Sequence, residues 1–198
     1  MKQQIPPTIR PDHVAPVAFS TLVANFSLEF AHAGDAQLLG ISMNTGDLRP
    51  GDLFVAMPGQ KSHGALYVDQ AIEAGAVAII TDLAGLELIS HRVVPIAIME
   101  DPRQQLGALA AVIYGNSAEV MPKLFATTGT NGKTSTTYLL DAILRQLGKT
   151  TGLTSTAERH IAGEVVVSRL TTPESTEMHA LIARMREHGV TDISIEVS

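Results

Sequence analysis

Short apolar runs alternate with stripes of helical period along most of this chain. Residues 52–57, Asp-Leu-Phe-Val-Ala-Met, read as a buried strand stopped by Pro58-Gly59. A helix is expected over about 65–74, ended by Gly75, and a strand over 77–81. Residues 96–99 read as a further strand. They lead into a helix that Asp101 caps and Pro102 opens, with Leu106, Leu109, Ala110 and Ile113 on one face. Upstream, Pro6, Pro7, Pro11 and Pro16 favour an extended start, and Ser20 is expected to cap a short helix carrying Leu22, Val23 and Phe26.

The pattern pauses at 115–122, Gly-Asn-Ser-Ala-Glu-Val-Met-Pro, and then resumes. A strand is expected over 124–127, a helix over 134–147 ended by Gly148, and a strand over 151–154. A hairpin through Ala162-Gly163 follows. Thr172 and Pro173 are expected to open another helix, striped by Met178, Leu181, Ile182 and Met185 and closed by Gly189, before a strand over 193–197. Strands alternating with helices imply an α/β fold with mostly parallel pairing. The pause divides it into a first domain, 1–122, and a second, 123–198.

Composition narrows the function. With 45% apolar and 17% charged residues in 198, the chain is a folded protein. A net charge of -6 with scattered Lys and Arg argues against nucleic acid as a partner. The absence of cysteine excludes disulfides, zinc ribbons and thiol nucleophiles, and fits a reducing compartment. No signal-peptide stretch opens the chain, and the apolar run at 76–80 is far shorter than the ~20 residues of a membrane helix. A cytoplasmic location without membrane insertion is therefore expected.

The candidate chemistry is concentrated at Thr127-Thr128-Gly129-Thr130-Asn131-Gly132-Lys133-Thr134. An apolar strand enters a glycine-bearing turn and a helix leaves it. Glycines let backbone N–H groups close on phosphate oxygens, and the helix N-terminus adds partial positive charge. Lys133 is placed to reach terminal phosphates and the Thr134 hydroxyl to ligate Mg²⁺. The general phosphate-loop pattern has glycine where Thr127 stands, and a Gly-Lys-Thr helix start also arises by chance. The flanking strand and helix favour phosphate binding. Among the histidines, His13, His32, His63, His91, His160, His179 and His188, none has metal-ligand spacing, so they are expected to be surface or structural groups. Glu196 reads equally as an exposed acid or as a group beside a ligand crevice, and Thr171-Thr172-Pro173 is explained by a helix start alone.

The variant Thr128-Gly129-Thr130-Asn131-Gly132-Lys133-Thr134 resembles the phosphate loop of the Mur ligases, the ATP-dependent amide ligases of peptidoglycan precursor synthesis. The stretch Leu48-Arg49-Pro50-Gly51-Asp52-Leu53-Phe54-Val55-Ala56, with Gly59 and His63-Gly64, resembles that family's uridine-nucleotide-binding domain. Leu170-Thr171-Thr172-Pro173-Glu174 and Glu196-Val197-Ser198 resemble the branch that adds the third peptide residue.

The resemblance implies a small N-terminal α/β uridine-nucleotide-binding domain followed by the first part of a P-loop, mostly parallel-sheet ATPase domain. It assigns ATP to Gly129, Thr130, Asn131, Gly132, Lys133, Thr134 and Ser135, with Lys133 and Glu196 as the catalytic groups and Thr134 and Glu196 holding Mg²⁺. It assigns the UDP-MurNAc substrate to Met43, Thr45, Gln60, Lys61, Ser62, Thr171, Thr172 and Ser198. Asn44-Thr45-Gly46 stands where the family has Asp-Ser-Arg, which keeps a hydroxyl and loses an acid and a cation. The implied reaction moves the γ-phosphoryl group of ATP to the carboxylate of a UDP-MurNAc dipeptide, and an amino acid's amine then attacks the acyl phosphate. Phosphoryl transfer of this kind depends on positioning and charge neutralisation rather than on a protein nucleophile. Two other readings are a non-catalytic nucleotide or UDP-sugar binding module and a different P-loop ligase or kinase. The 76 residues after Pro122 are few for a complete ATPase core. The chain alone is accordingly expected to show no ligase turnover.

Overall fold

The computed structural model describes residues 8–167 and 173–197, with Val167 described by its backbone alone. The chain folds into two compact units, His13–Gly115 and a second unit that combines residues up to Asp12 with those from Asn116 onward. The division falls at the start of the small, polar 115–122 stretch. Residues 8–12 group with the second unit, whereas the sequence pattern assigns everything up to 122 to the first. The cause is local: Asp12 forms an ion pair with Arg184, its N–H donates to Glu187 at 2.8 Å, and Ile9 joins the second core.

The first unit begins with β1 (Val17–Ala18), α1 (Phe19–Asn25), β2 (Glu29–His32), β3 (Gln37–Leu38) and β4 (Gly40–Ser42). After a 3-10 turn at Thr45–Asp47 come β5 (Asp52–Ala56), a 3-10 turn at Gly64–Tyr67 and α2 (Val68–Glu73). The unit closes with β6 (Ala76–Thr81), α3 (Leu83–Leu88), β7 (Ile96–Ile98) and α4 (Pro102–Ile113). The sheet order is β2-β7-β6-β5-β4, parallel except for the antiparallel edge strand β2. Alternation along β5 sends Phe54 and Ala56 into a core with Ala65, Val68 and Ala71 of the following helical segment. The expected face of α4 is buried at Leu106, Leu109, Ala110 and Ile113, and Asp101 caps it through the Gln104 N–H. Ser20 is not an N-cap. It lies inside α1, and its hydroxyl and N–H both go to the Asp35 carboxylate.

The second unit runs β8 (Lys123–Thr127), α5 (Lys133–Gln146), β9 (Thr151–Thr154), β10 (Glu158–Ile161), β11 (Glu164–Val167), α6 (Ser175–Glu187) and β12 (Asp192–Glu196). Its sheet order is β11-β10-β9-β12-β8: β8, β12 and β9 are parallel, and the Ala162-Gly163 hairpin adds two antiparallel ladders. Ile193 and Ile195 pack on Leu181, Ile182 and Met185 of α6. Ser194 and Glu196 alternate to the opposite face, where Glu196 meets Thr134 of α5. Helix α6 starts at Ser175, two residues past Pro173; Thr172, its expected cap, lies outside the described residues. Among the described residues, no helix is long and apolar enough to cross a membrane.

Candidate functional site

The phosphate-loop segment connects the C-terminal end of β8 to α5, at the edge where parallel α/β sheets bind ligands. Gly132 sits at the N-cap with φ 75°, a left-handed conformation that favours glycine. That turn places Lys133 and Thr134 in the first turn of α5. The Lys133 ammonium donates to the Gly129 carbonyl at 2.9 Å, across the loop.

Thr134 faces Glu196, at the C-terminal end of the neighbouring strand β12, and its hydroxyl donates to Glu196 Oε1 at 2.9 Å. The other carboxylate oxygen, Oε2, accepts from the Thr156 N–H at 3.0 Å and the Thr156 hydroxyl at 2.9 Å. Glu196 is only 3% exposed. Burial pushes its carboxyl up, but the Thr156 and Thr134 hydrogen bonds and the Lys133 charge outweigh it and hold the group below its ordinary value of 4.5. Glu196 is thus an ionised, oriented carboxylate in hydrogen-bond contact with a hydroxyl. Two hard oxygen donors suit Mg²⁺, which takes one or two protein ligands and completes its shell with water and phosphate. Among the described residues, no group of three or more His, Asp or Glu forms an all-protein metal cage.

Thr156 is the residue that the sequence pattern does not single out. Its only cue is a hydroxyl just past the end of a parallel strand. Thr156→Val, which keeps the N–H but removes the hydroxyl, is expected to weaken Mg·ATP binding by roughly tenfold, the low end of what one hydrogen bond to a charged group is worth. Thr156→Ser is expected to restore it. Titration calorimetry of both variants checks this, and equal affinities in wild type and valine variant would remove Thr156 from the site.

In the first unit, Met43, Thr45 and Ser62 line a cavity of about 320 Å³ together with Asn44, Tyr67 and Arg103. The Ser62 hydroxyl is 3.1 Å from the Tyr67 hydroxyl. Gln60 and Lys61 are exposed on the same loop and do not line the cavity. His63 has a structural role: Nδ1 accepts from the Ala65 N–H at 3.0 Å, leaving Nε2–H to donate to Asp82 at 3.0 Å. Asp82 in turn caps α3 through the Gly85 N–H at 2.7 Å. Thr171, Thr172 and Ser198, assigned to the muramoyl substrate, lie outside the described residues, as does Leu170.

Two family models match the chain: "Mur ligase family, catalytic domain" over residues 38–127 and "Mur ligase middle domain" over residues 127–198. The UDP-N-acetylmuramyl-tripeptide synthetase of Leifsonia xyli subsp. xyli is 48% identical over 98% of this chain and 38% of its own length. The UDP-N-acetylmuramoyl-L-alanyl-D-glutamate--2,6-diaminopimelate ligase of Streptomyces avermitilis is 40% identical over 96% of this chain and 37% of its own. The chain therefore spans less than two-fifths of the length of these curated relatives, 38% and 37%. Among solved structures, a UDP-N-acetylmuramoyl-L-alanyl-D-glutamate--2,6-diaminopimelate ligase matches with a TM-score of 0.65 and 21% identity, over 82% of this chain and 32% of that one. The MurF ligase from Thermotoga maritima in complex with ADP gives 0.54 and 22%, over 79% and 31%. These structural likenesses speak for the fold. On the two matched segments and the sequence identity along nearly its whole length, the chain belongs to the Mur ligase family.

Proposed function

We propose that this chain is the nucleotide-handling portion of a ligase that adds the third residue to UDP-MurNAc-L-Ala-D-Glu. The first-unit cavity takes the uridine nucleotide of the substrate, and the loop at 129–135 takes ATP. The observation that carries this reading is the Thr134–Glu196 pair at the mouth of the loop, where an ionised carboxylate and a hydroxyl meet beside Lys133.

Each residue has a separate task. Backbone N–H groups at the start of α5 and the Lys133 ammonium offset phosphate charge, and Lys133 is positioned for the transferred group. Thr134 and Glu196 hold Mg²⁺, which supplies further charge neutralisation when bound. In the whole ligase, the dipeptide carboxylate accepts the γ-phosphoryl group, and the incoming amine displaces phosphate to close the amide. Such a reaction on a nucleotide-linked precursor fits a cytoplasmic enzyme.

Titration calorimetry of the folded 198-residue chain tests the reading. The expected result is one site for Mg·ATP and a separate site for UDP-MurNAc-L-Ala-D-Glu, neither ligand blocking the other. No heat with either ligand overturns the proposal, and competition between them for one site overturns the assignment of two.

A further inference from the structure

We infer that Arg103 receives the diphosphate of the nucleotide in the first-unit cavity. The inference rests on the reading of that cavity as a uridine-nucleotide site and names the side chain that meets the charge. Among the described residues lining the cavity, Arg103 is the only cation, and none is Asp or Glu. In a chain of net charge -6, a carboxylate-free recess holding one guanidinium is a favourable place for an anion. The Asn44-Thr45-Gly46 turn at its rim offers hydroxyl and amide groups but no positive charge.

The geometry leaves the guanidinium available. Arg103 lies in the first turn of α4 and is exposed, and it donates through Nη2 to the Pro58 carbonyl at a long 3.4 Å. That contact spends one of five N–H donors, so the fork keeps the paired donors that match phosphate oxygens. Asp101, the nearest acid in sequence, turns its carboxylate to the Gln104 N–H at 3.1 Å and does not line the cavity. Met43, Phe54 and Met57 supply apolar surface of the kind a pyrimidine needs, while Ser62 and Thr45 supply hydroxyls.

The experiment compares UDP with uridine by titration calorimetry on wild type, Arg103→Ala and Arg103→Gln. Gln keeps an amide donor on a shorter stem and removes the charge together with the paired N–H fork. Wild type is expected to bind UDP more tightly than uridine, with an affinity that falls as salt rises. Both variants are expected to lose about tenfold or more in UDP affinity, as for a charged hydrogen bond, with uridine unchanged and the salt dependence flattened. If UDP and uridine weaken equally, Arg103 only holds the loop, and the inference fails. Unchanged UDP affinity in the Gln variant also overturns it. A wild-type chain that binds neither ligand removes the cavity reading itself, and the inference with it.

Discussion

Lys133→Ala is expected to lower the affinity for Mg·ATP by roughly ten- to hundredfold, because a charged donor to phosphate is worth about 1.5–3 kcal/mol. The fold is expected to survive unchanged. Lys133 is only partly buried at the first turn of α5, and its ammonium bonds to the Gly129 carbonyl of the same loop. Surface changes of this type stay within about 0.5 kcal/mol of wild type. Loss of the ammonium also removes the positive charge that helps hold Glu196 ionised, although the hydrogen bonds from Thr134 and Thr156 remain. Calorimetry with Mg·ATP and, on the same sample, with UDP reads the two sites separately. ATP affinity equal to wild type would overturn the assignment of the loop. Parallel loss of UDP binding would mean that the variant had unfolded.

Much of this site is legible in the sequence because its logic is local. Gly132, Lys133 and Thr134 are consecutive, and a strand-turn-helix around them shows in hydrophobic periodicity. The stripes of α4 and α6 are equally readable, since each buries several residues at helical spacing. Short elements are not. β1 and β3 have two residues each and β4 three, too few for any period to register. Thr156 and Arg103 are hidden for another reason. Each reaches its site across a long sequence separation, 40 residues to Glu196 and 45 to Pro58, and carries no motif of its own. Ser20 fails as a cap because Asp35, 15 residues away, takes both its hydroxyl and its N–H.

The Arg49-Pro50-Gly51-Asp52 stretch resembles a mark of nucleotide binding, yet its own residues do structural work, and Gly75 shows how. Gly75→Ala is expected to destabilise the first unit by about 3 kcal/mol or more. Gly75 ends the α2 segment at φ 107°, which costs a non-glycine residue roughly 1–3 kcal/mol. A β-carbon there would also meet Pro50 Cα at 2.7 Å and Pro50 N at 2.8 Å, both backbone atoms. Overpacking of that kind typically costs about 1–3 kcal/mol, and backbone cannot swing aside as a side chain can. Pro50 cannot retreat without penalty, because the Gly51 N–H donates to the Gly75 carbonyl at 3.0 Å and the Asp52 carboxylate accepts the Arg49 N–H at 2.8 Å. The same turn sets the register of Asp52 against Ala76 at the start of β5, the strand that carries Phe54 into the cavity. Gly148→Ala isolates the two costs: its φ is 76°, but a β-carbon there meets nothing within 4 Å. Only the conformational part is expected at Gly148, about 1 kcal/mol. Chemical denaturation of the two variants reads the difference. Equal losses would mean that the turn yields to Gly75→Ala, and the close approach of Pro50 would then no longer explain why glycine stands at position 75.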